Sequence, residues 1–267
     1  MLKRLYDKSK ILFSVLCIVA YCVLMSVGDS LSQKVGIEKS ITLIIGLILS
    51  LTLLLFLKKN NLFKDYGFCL PKAPHKTMLY YIPLLVMLSA NLWYGVTLNY
   101  SISETALYIL TMLCVGFLEE TIFRGFLFEA MRRDNEKVAI IVSSVTFGIG
   151  HIINLFNGSG IDLLPNILQV IYATSAGFMF VMIYCKSKSI ILCIISHGLF
   201  NSLSAFSIEV SLDYENQIIS SIILTLITTA YAIYLAFAIK NKHNSNSNKI
   251  INLKKKTTDF KSVVFFS

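Results

Sequence analysis

Eight apolar runs partition this chain, and between them they leave it little choice of solvent. They lie near residues 11–28, 40–57, 78–97, 104–131, 138–154, 165–184, 190–206 and 218–239. Each is long enough, or nearly so, to cross about 30 Å of hydrocarbon. The residues are 55% hydrophobic and 15% charged, with a mean hydropathy of +0.70, and a soluble domain of this length would need far more polar surface. The expected fold is therefore all-α: a polytopic membrane helix bundle with about eight transmembrane helices. The fifth and seventh runs are short and carry His and Asn, so hydropathy alone supports them least. The fourth is long. Its last part, GFLFEAMRR, is amphipathic and reads as emerging at the interface.

Charge tests the count. If the eight runs alternate in direction, both termini and the connections at 58–77, 132–137 and 185–189 fall on one side. Of the 24 lysines and arginines, Lys34 and Lys39 are all that the opposite side holds, and Arg124 lies inside the membrane. The opposite side carries Asp29, Glu38, Glu104, Asp162, Glu209, Asp213 and Glu215 instead. A miscounted span would have scrambled this split. By the positive-inside rule both termini are cytoplasmic. The net charge of +9 thus reports membrane orientation, and nucleic acid is not an expected partner.

No internal repeat or long linker divides the chain. Residues 1–103 hold the first spans and the cytoplasmic connector, 104–206 a polar-dotted core, 207–239 the last span, and 240–267 a polar tail of low complexity expected to be disordered. The six cysteines are scattered and read as small buried hydrophobes, not as a disulfide or metal framework. Abundant Lys, Ile, Asn and Ser suggest a low-GC bacterium, with the protein in its cell membrane.

Against this background two adjacent glutamates, Glu119 and Glu120, stand out. They sit inside the fourth run with Arg124 one turn further on. A charged side chain near the bilayer centre costs roughly 2.5–3.5 kcal/mol on insertion scales, so such groups persist mainly where they line a cavity and do chemistry or transport. Two other spans carry polar groups at helical spacing: Phe147 with His151, and His197 with Asn201. Residues four apart share a helix face, so each pair points one way, and Glu120 can pair with Arg124 in the same manner.

Depth ties these groups together. At a rise of about 1.5 Å per residue from each cytoplasmic helix end, Glu119 lies roughly 20 Å in, Glu120 about 18 Å and Arg124 about 12 Å. On the same count His151 is at roughly 21 Å, His197 at roughly 13 Å and Asn201 at roughly 19 Å. A single intramembrane histidine is more often a helix–helix hydrogen bond than a catalyst. Six polar groups from three spans in one layer about 10 Å thick need another explanation.

The residue types suit amide hydrolysis. A carboxylate among apolar groups is a stronger base than one in water, an imidazole can hold a water, and an Asn amide or second His can donate to an oxyanion. Glu119, His151 and His197 are equally a zinc ligand set with an open position. Both Zn2+-held and metal-free water are compatible with these residues. No GxSxG or HExxH motif occurs.

The three motifs in this order resemble the CPBP family of intramembrane proteases, which groups type II CAAX prenyl endopeptidases with bacteriocin-processing and bacteriocin-immunity proteins. EExxxR stands at Glu119–Arg124, FxxxH at Phe147–His151 and HxxxN at His197–Asn201, and the resemblance covers residues 104–206. It implies that Glu119 activates the hydrolytic water with His151. It implies further that His197 and Asn201 stabilise the oxyanion, that Glu120 tied to Arg124 supports the site, and that Phe147 packs behind it. The expected function is an intramembrane endopeptidase acting on a peptide precursor or membrane-associated protein, in pheromone or bacteriocin processing or immunity, at a site in the cytoplasmic half to the middle of the bilayer. The competing class is a proton- or cation-coupled transporter that uses the buried glutamates.

Overall fold

In hydrocarbon every backbone N–H and C=O must find its partner within the segment, so apolar runs become helices. The computed structural model describes residues 2–157, 161–208 and 215–239. Their helices are α1 (Leu2–Lys8), α2 (Lys10–Val35), α3 (Ser40–Lys59), α4 (Ile82–Ser89), α5 (Ile102–Glu120), α6 (Glu129–Arg132), α7 (Glu136–Gly150), α8 (Leu163–Ser187) and α9 (Ile190–Leu203), followed by α10 (Glu215–Ile239). The expected tail at 240–267, with Glu209 and Asp213, lies outside the described residues. Helix starts follow short polar caps written in the sequence. The Ser9 hydroxyl accepts from the Leu12 N–H at 3.2 Å, Ser101 and Glu104 form a capping box, and Asn135 and Ser189 cap α7 and α9. Gly36, at φ 75°, ends α2 in the left-handed conformation that lacks a Cβ penalty.

Among the described residues, six helical stretches are long and apolar enough to span: Lys10–Val35, Ser40–Lys59, Ile102–Arg132, Glu136–Leu155, Leu163–Ser187 and Glu215–Ile239, with Ile190–Phe206 a shorter apolar one. The run at 78–97 departs from expectation. It is not one helix but a 3-10 turn, the eight-residue α4 and a second short turn. Pro83 in the first turn of α4 has no N–H to donate, and its ring bars a helix upstream. The three residues before Ile82 sit at φ 49°, 50° and 62°. Even so, the run joins opposite ends of the bundle. Before it, the Lys72 N–H donates to the Ser187 carbonyl at 2.8 Å; after it, the Thr97 N–H donates to the Phe206 carbonyl at 3.0 Å. The strands of charge therefore keep their sides: Lys58, Lys186 and Arg132 at one end, Asp29, Glu38 and Glu104 at the other.

A second departure concerns GFLFEAMRR. Residues 125–128 are buried, and partial exposure begins only at Glu129. The chain leaves the bundle later than its amphipathicity suggested, because Phe126 packs edge-on against Phe13 and Tyr66 while Phe128 packs against Tyr184.

Two backbone contacts decide where the polar layer forms. A Cβ on Gly116 of α5 would stand 2.6 Å from the Gly198 nitrogen of α9. A Cβ on Gly148 of α7 would stand 2.7 Å from the Thr174 Cα of α8. With no hydrophobic drive between helices in lipid, such small-residue contacts let backbones touch and side chains beside them meet. The Gly116 contact sits one turn from Glu120 and one residue from His197. Gly116→Ala should destabilise the fold by about 1–3 kcal/mol, the usual cost of overpacking. Thermal unfolding in detergent would read this as a lower midpoint, and an unchanged midpoint would mean that α5 and α9 are not so closely apposed.

Candidate active site

The end of α5 presents Glu119 and Glu120 to different neighbours, since adjacent helical residues are about 100° apart. Glu120 is fully buried, and its Oε1 lies 3.0 Å from Arg124 Nη1. That contact is an ion pair without an aligned hydrogen bond, because Nη1 has no partner in line. The Arg124 guanidinium is also held 4.2 Å above the Phe147 ring and 5.4 Å from that of Phe180, and its Nη2 donates to the Gly177 carbonyl at 3.4 Å. Cation–π contact offsets part of the cost of burying a guanidinium. Arg124 belongs to a π-helical stretch, Thr121–Phe128, whose eight residues are all buried. Such stretches are rare and concentrate at functional sites.

His197 of α9 completes the set. Its Nδ1 lies 2.8 Å from Glu120 Oε1, and since a carboxylate paired with Arg124 can only accept, Nδ1 is the donor. Its Nε2 is thereby turned towards Glu119, 3.5 Å from Oε2. The ring stacks on Phe180 at 5.4 Å and meets Phe147 edge-on at 5.5 Å. Glu120 and Arg124 cancel in charge.

Glu119 faces a cavity of about 500 Å³, lined also by Tyr21, Phe147, His151 and Asn201. Glu120, Arg124 and His197 lie behind this wall and do not line it. His151 follows the last turn of α7, where its Nδ1 lies 3.1 Å from the Phe147 carbonyl. A carbonyl only accepts, so Nδ1 donates, and Nε2 is the ring nitrogen left for a further partner. The Asn166 amide donates to the His151 backbone carbonyl at 2.9 Å, anchoring this turn. All six polar residues expected from the sequence thus gather at one place, in two shells: Glu119, His151 and Asn201 on the cavity, the other three beneath.

One participant escaped sequence reasoning. The Tyr21 hydroxyl of α2 donates to Glu119 Oε1 at 2.6 Å. Tyrosines in apolar runs read as packing mass, and nothing in the spacing around Tyr21 sets it apart.

For a zinc site, Glu119, His151 and His197 would have to converge on one point. Among the described residues no three His, Cys, Asp or Glu side chains are grouped in this way. The Nδ1 atoms of His151 and His197 lie against the Phe147 carbonyl and Glu120, which leaves the two Nε2 atoms as the donors an ion would meet.

Residues 101–203 match the family model of type II CAAX prenyl endopeptidase Rce1-like proteins. This stretch, α5 to α9, is thus similar to the core of type II CAAX prenyl endopeptidases, and it contains all three motifs. No curated protein and no solved structure matches the chain.

Removing one partner of a buried ion pair costs about 3–5 kcal/mol because the other is left uncompensated. Glu120→Gln and Arg124→Leu should each lower the unfolding midpoint in detergent by that order. The double variant Glu120→Leu/Arg124→Leu should recover much of the loss. Additive losses in a double-mutant cycle would show that the two side chains are not coupled.

Proposed function

We propose that this protein is an endopeptidase that hydrolyses a peptide bond within the membrane, using a water activated by Glu119. The observation that carries this reading is the setting of one carboxylate. Glu119 accepts from Tyr21 on one oxygen, faces His197 on the other, and lines the cavity together with His151 and Asn201. A general base must have both proton reach and a fixed orientation, and these contacts supply the orientation.

In the proposed cycle a water held between Glu119 and the Nε2 of His151 gives a proton to Glu119 as its oxygen attacks the acyl carbon. The carbonyl electron pair moves onto oxygen, where the Asn201 amide donates to it. When the C–N bond breaks, Glu119 passes its proton to the departing amine. The products are a carboxyl terminus and an amino terminus. His197, pinned by Glu120, acts as a positioning residue that holds Glu119 in place. The roles expected for Glu119, His151 and Asn201 are kept, while that of His197 moves from the oxyanion to the base. No step of this cycle is routed through a metal.

The substrate we favour is a peptide precursor or membrane-associated protein, as in pheromone or bacteriocin processing or immunity, with the enzyme in a bacterial cell membrane. Peptidomics of membranes carrying wild-type or Glu119→Gln protein would identify it through fragments present only with the former.

General bases contribute about 10²–10⁴-fold to rate. Glu119→Gln should lower cleavage in detergent by that factor while leaving the unfolding midpoint close to wild type. Wild-type cleavage by this variant would sink the proposal. Activity in detergent, where no ion gradient exists, separates this reading from the transporter. Tyr21→Phe deletes a hydrogen bond to a charged group, worth about 1.5–3 kcal/mol. It should slow cleavage roughly tenfold or more, with little change in KM if Tyr21 acts on the base, and with a raised KM if it acts on substrate.

A further inference from the structure

The cavity has a direction. Its floor is made by Tyr21, Phe123 and Phe147, and its rim includes Asp29, Lys39, Asn157 and Ser204. Tyr21 lies midway along α2, whereas Asp29 is near that helix's acidic end, where it binds Lys39 at 2.8 Å. Asn157 follows the last turn of the α7 span and Ser204 the end of α9. Most of the lining residues come from the halves of their helices nearer the acidic end, and Tyr21, Glu119 and Phe123, at or just past mid-span, are the deepest. Eight helical residues separate Tyr21 from Asp29, so Glu119 lies roughly 12 Å below the rim.

The opposite approach is closed. Below Glu119 the α5 rod continues as eight consecutive buried residues. Around them, Tyr6, Phe13, Phe56, Tyr66 and Phe126 interlock, with ring centroids 5.1 Å apart for Phe13 and Phe56 and 5.3 Å for Tyr66 and Phe126. The hydroxyls of Tyr6 and Tyr66 lie 2.6 Å apart. That bond ties α1 to the 58–77 connector across this end of the bundle. A peptide entering from the basic end would have to break this plug and then pass the Arg124–Phe147–Phe180 layer.

We infer that substrate reaches Glu119 from the acidic end of the bundle, which the charge distribution makes the non-cytoplasmic face. The substrates are then exported or outward-facing polypeptide segments, not cytoplasmic proteins. The word substrate rests on the proteolytic reading above; the route rests on the cavity alone. At about 3.3–3.6 Å per extended residue, a 12 Å descent admits three or four residues of unfolded chain. Cleavage would therefore fall within a few residues of an exposed, flexible end or loop. The expectation of a site in the cytoplasmic half to the middle of the bilayer concerned depth alone, and the route adds the side of entry.

Thiol accessibility tests the route. In a protein whose native cysteines are replaced, Ser26→Cys places a thiol on the cavity wall between Tyr21 and Asp29, and Lys64→Cys marks the basic end. The probe is a cationic, membrane-impermeant methanethiosulfonate, applied to right-side-out and inside-out vesicles. We expect Ser26→Cys to react at least tenfold faster in right-side-out vesicles and Lys64→Cys to show the reverse preference. Modification of Ser26→Cys should then block cleavage of a peptide added outside. Reaction of Ser26→Cys only from the side that labels Lys64→Cys, or from neither side, would overturn the inference. Labelling needs no hydrolysis, so the two readings fail separately. A Glu119→Gln protein that still cleaves removes the protease and leaves the route, whereas inverted labelling does the opposite.

Discussion

A fully buried arginine beside a fully buried glutamate is the interaction around which this bundle is arranged. In a low-dielectric interior neither charge is tolerable alone, and even the pair repays its desolvation only when its remaining groups are satisfied. The protein meets this requirement in part, with contacts from four helices, while Glu120 Oε2 and Arg124 Nε and Nη1 have no hydrogen-bond partner. Arg124 sits between two aromatic faces from α7 and α8 and reaches a carbonyl of α8. Glu120 uses the same oxygen for Arg124 and for His197 of α9. Moving any one of these helices by a few ångströms would leave a charge uncovered, so the ion pair makes the packing of the core specific as well as stable.

The same arrangement explains how a second carboxylate can stand one residue away. Glu119 is not buried against Glu120 but rotated off it, towards water, Tyr21 and the far nitrogen of His197. The imidazole separates the two acids physically and connects them electrically. Its Nδ1 is fixed by the buried glutamate, so its Nε2 is presented to the other. Backbone contact between Gly116 and Gly198 makes this bridge short enough to work.

Much of this was legible in the sequence because each signal had a physical cause that acts locally. Apolar length gave the helices, and rise per residue put Glu119, Glu120, Arg124, His151, His197 and Asn201 in one layer before any packing was known. Other features were hidden because they arise between segments. Hydropathy sees the run at 78–97 as continuous and is blind to what Pro83 does to the backbone. It also cannot say that Phe126 and Phe128 face protein and not lipid. Helical spacing groups His197 with Asn201 on one helix face, yet only Asn201 reaches the cavity while His197 stays behind its wall. Tyr21 carries no local mark, since its importance comes entirely from a residue 98 positions away.

The partner of that contact lies outside residues 101–203, the stretch that matches the family model. The rim residues Asp29 and Lys39 lie outside it as well. The charge cluster belongs wholly to α5–α9 and the π-helical stretch between them, whereas α2 and α3 supply one wall of the cavity and part of its entrance. The charge cluster thus lies wholly within the matched stretch, whereas the cavity wall and its entrance draw on both parts of the chain. Variation in the first two long helices can retune what fits the cavity without disturbing the ion pair, which leaves room for a fixed core to be turned towards new polypeptides.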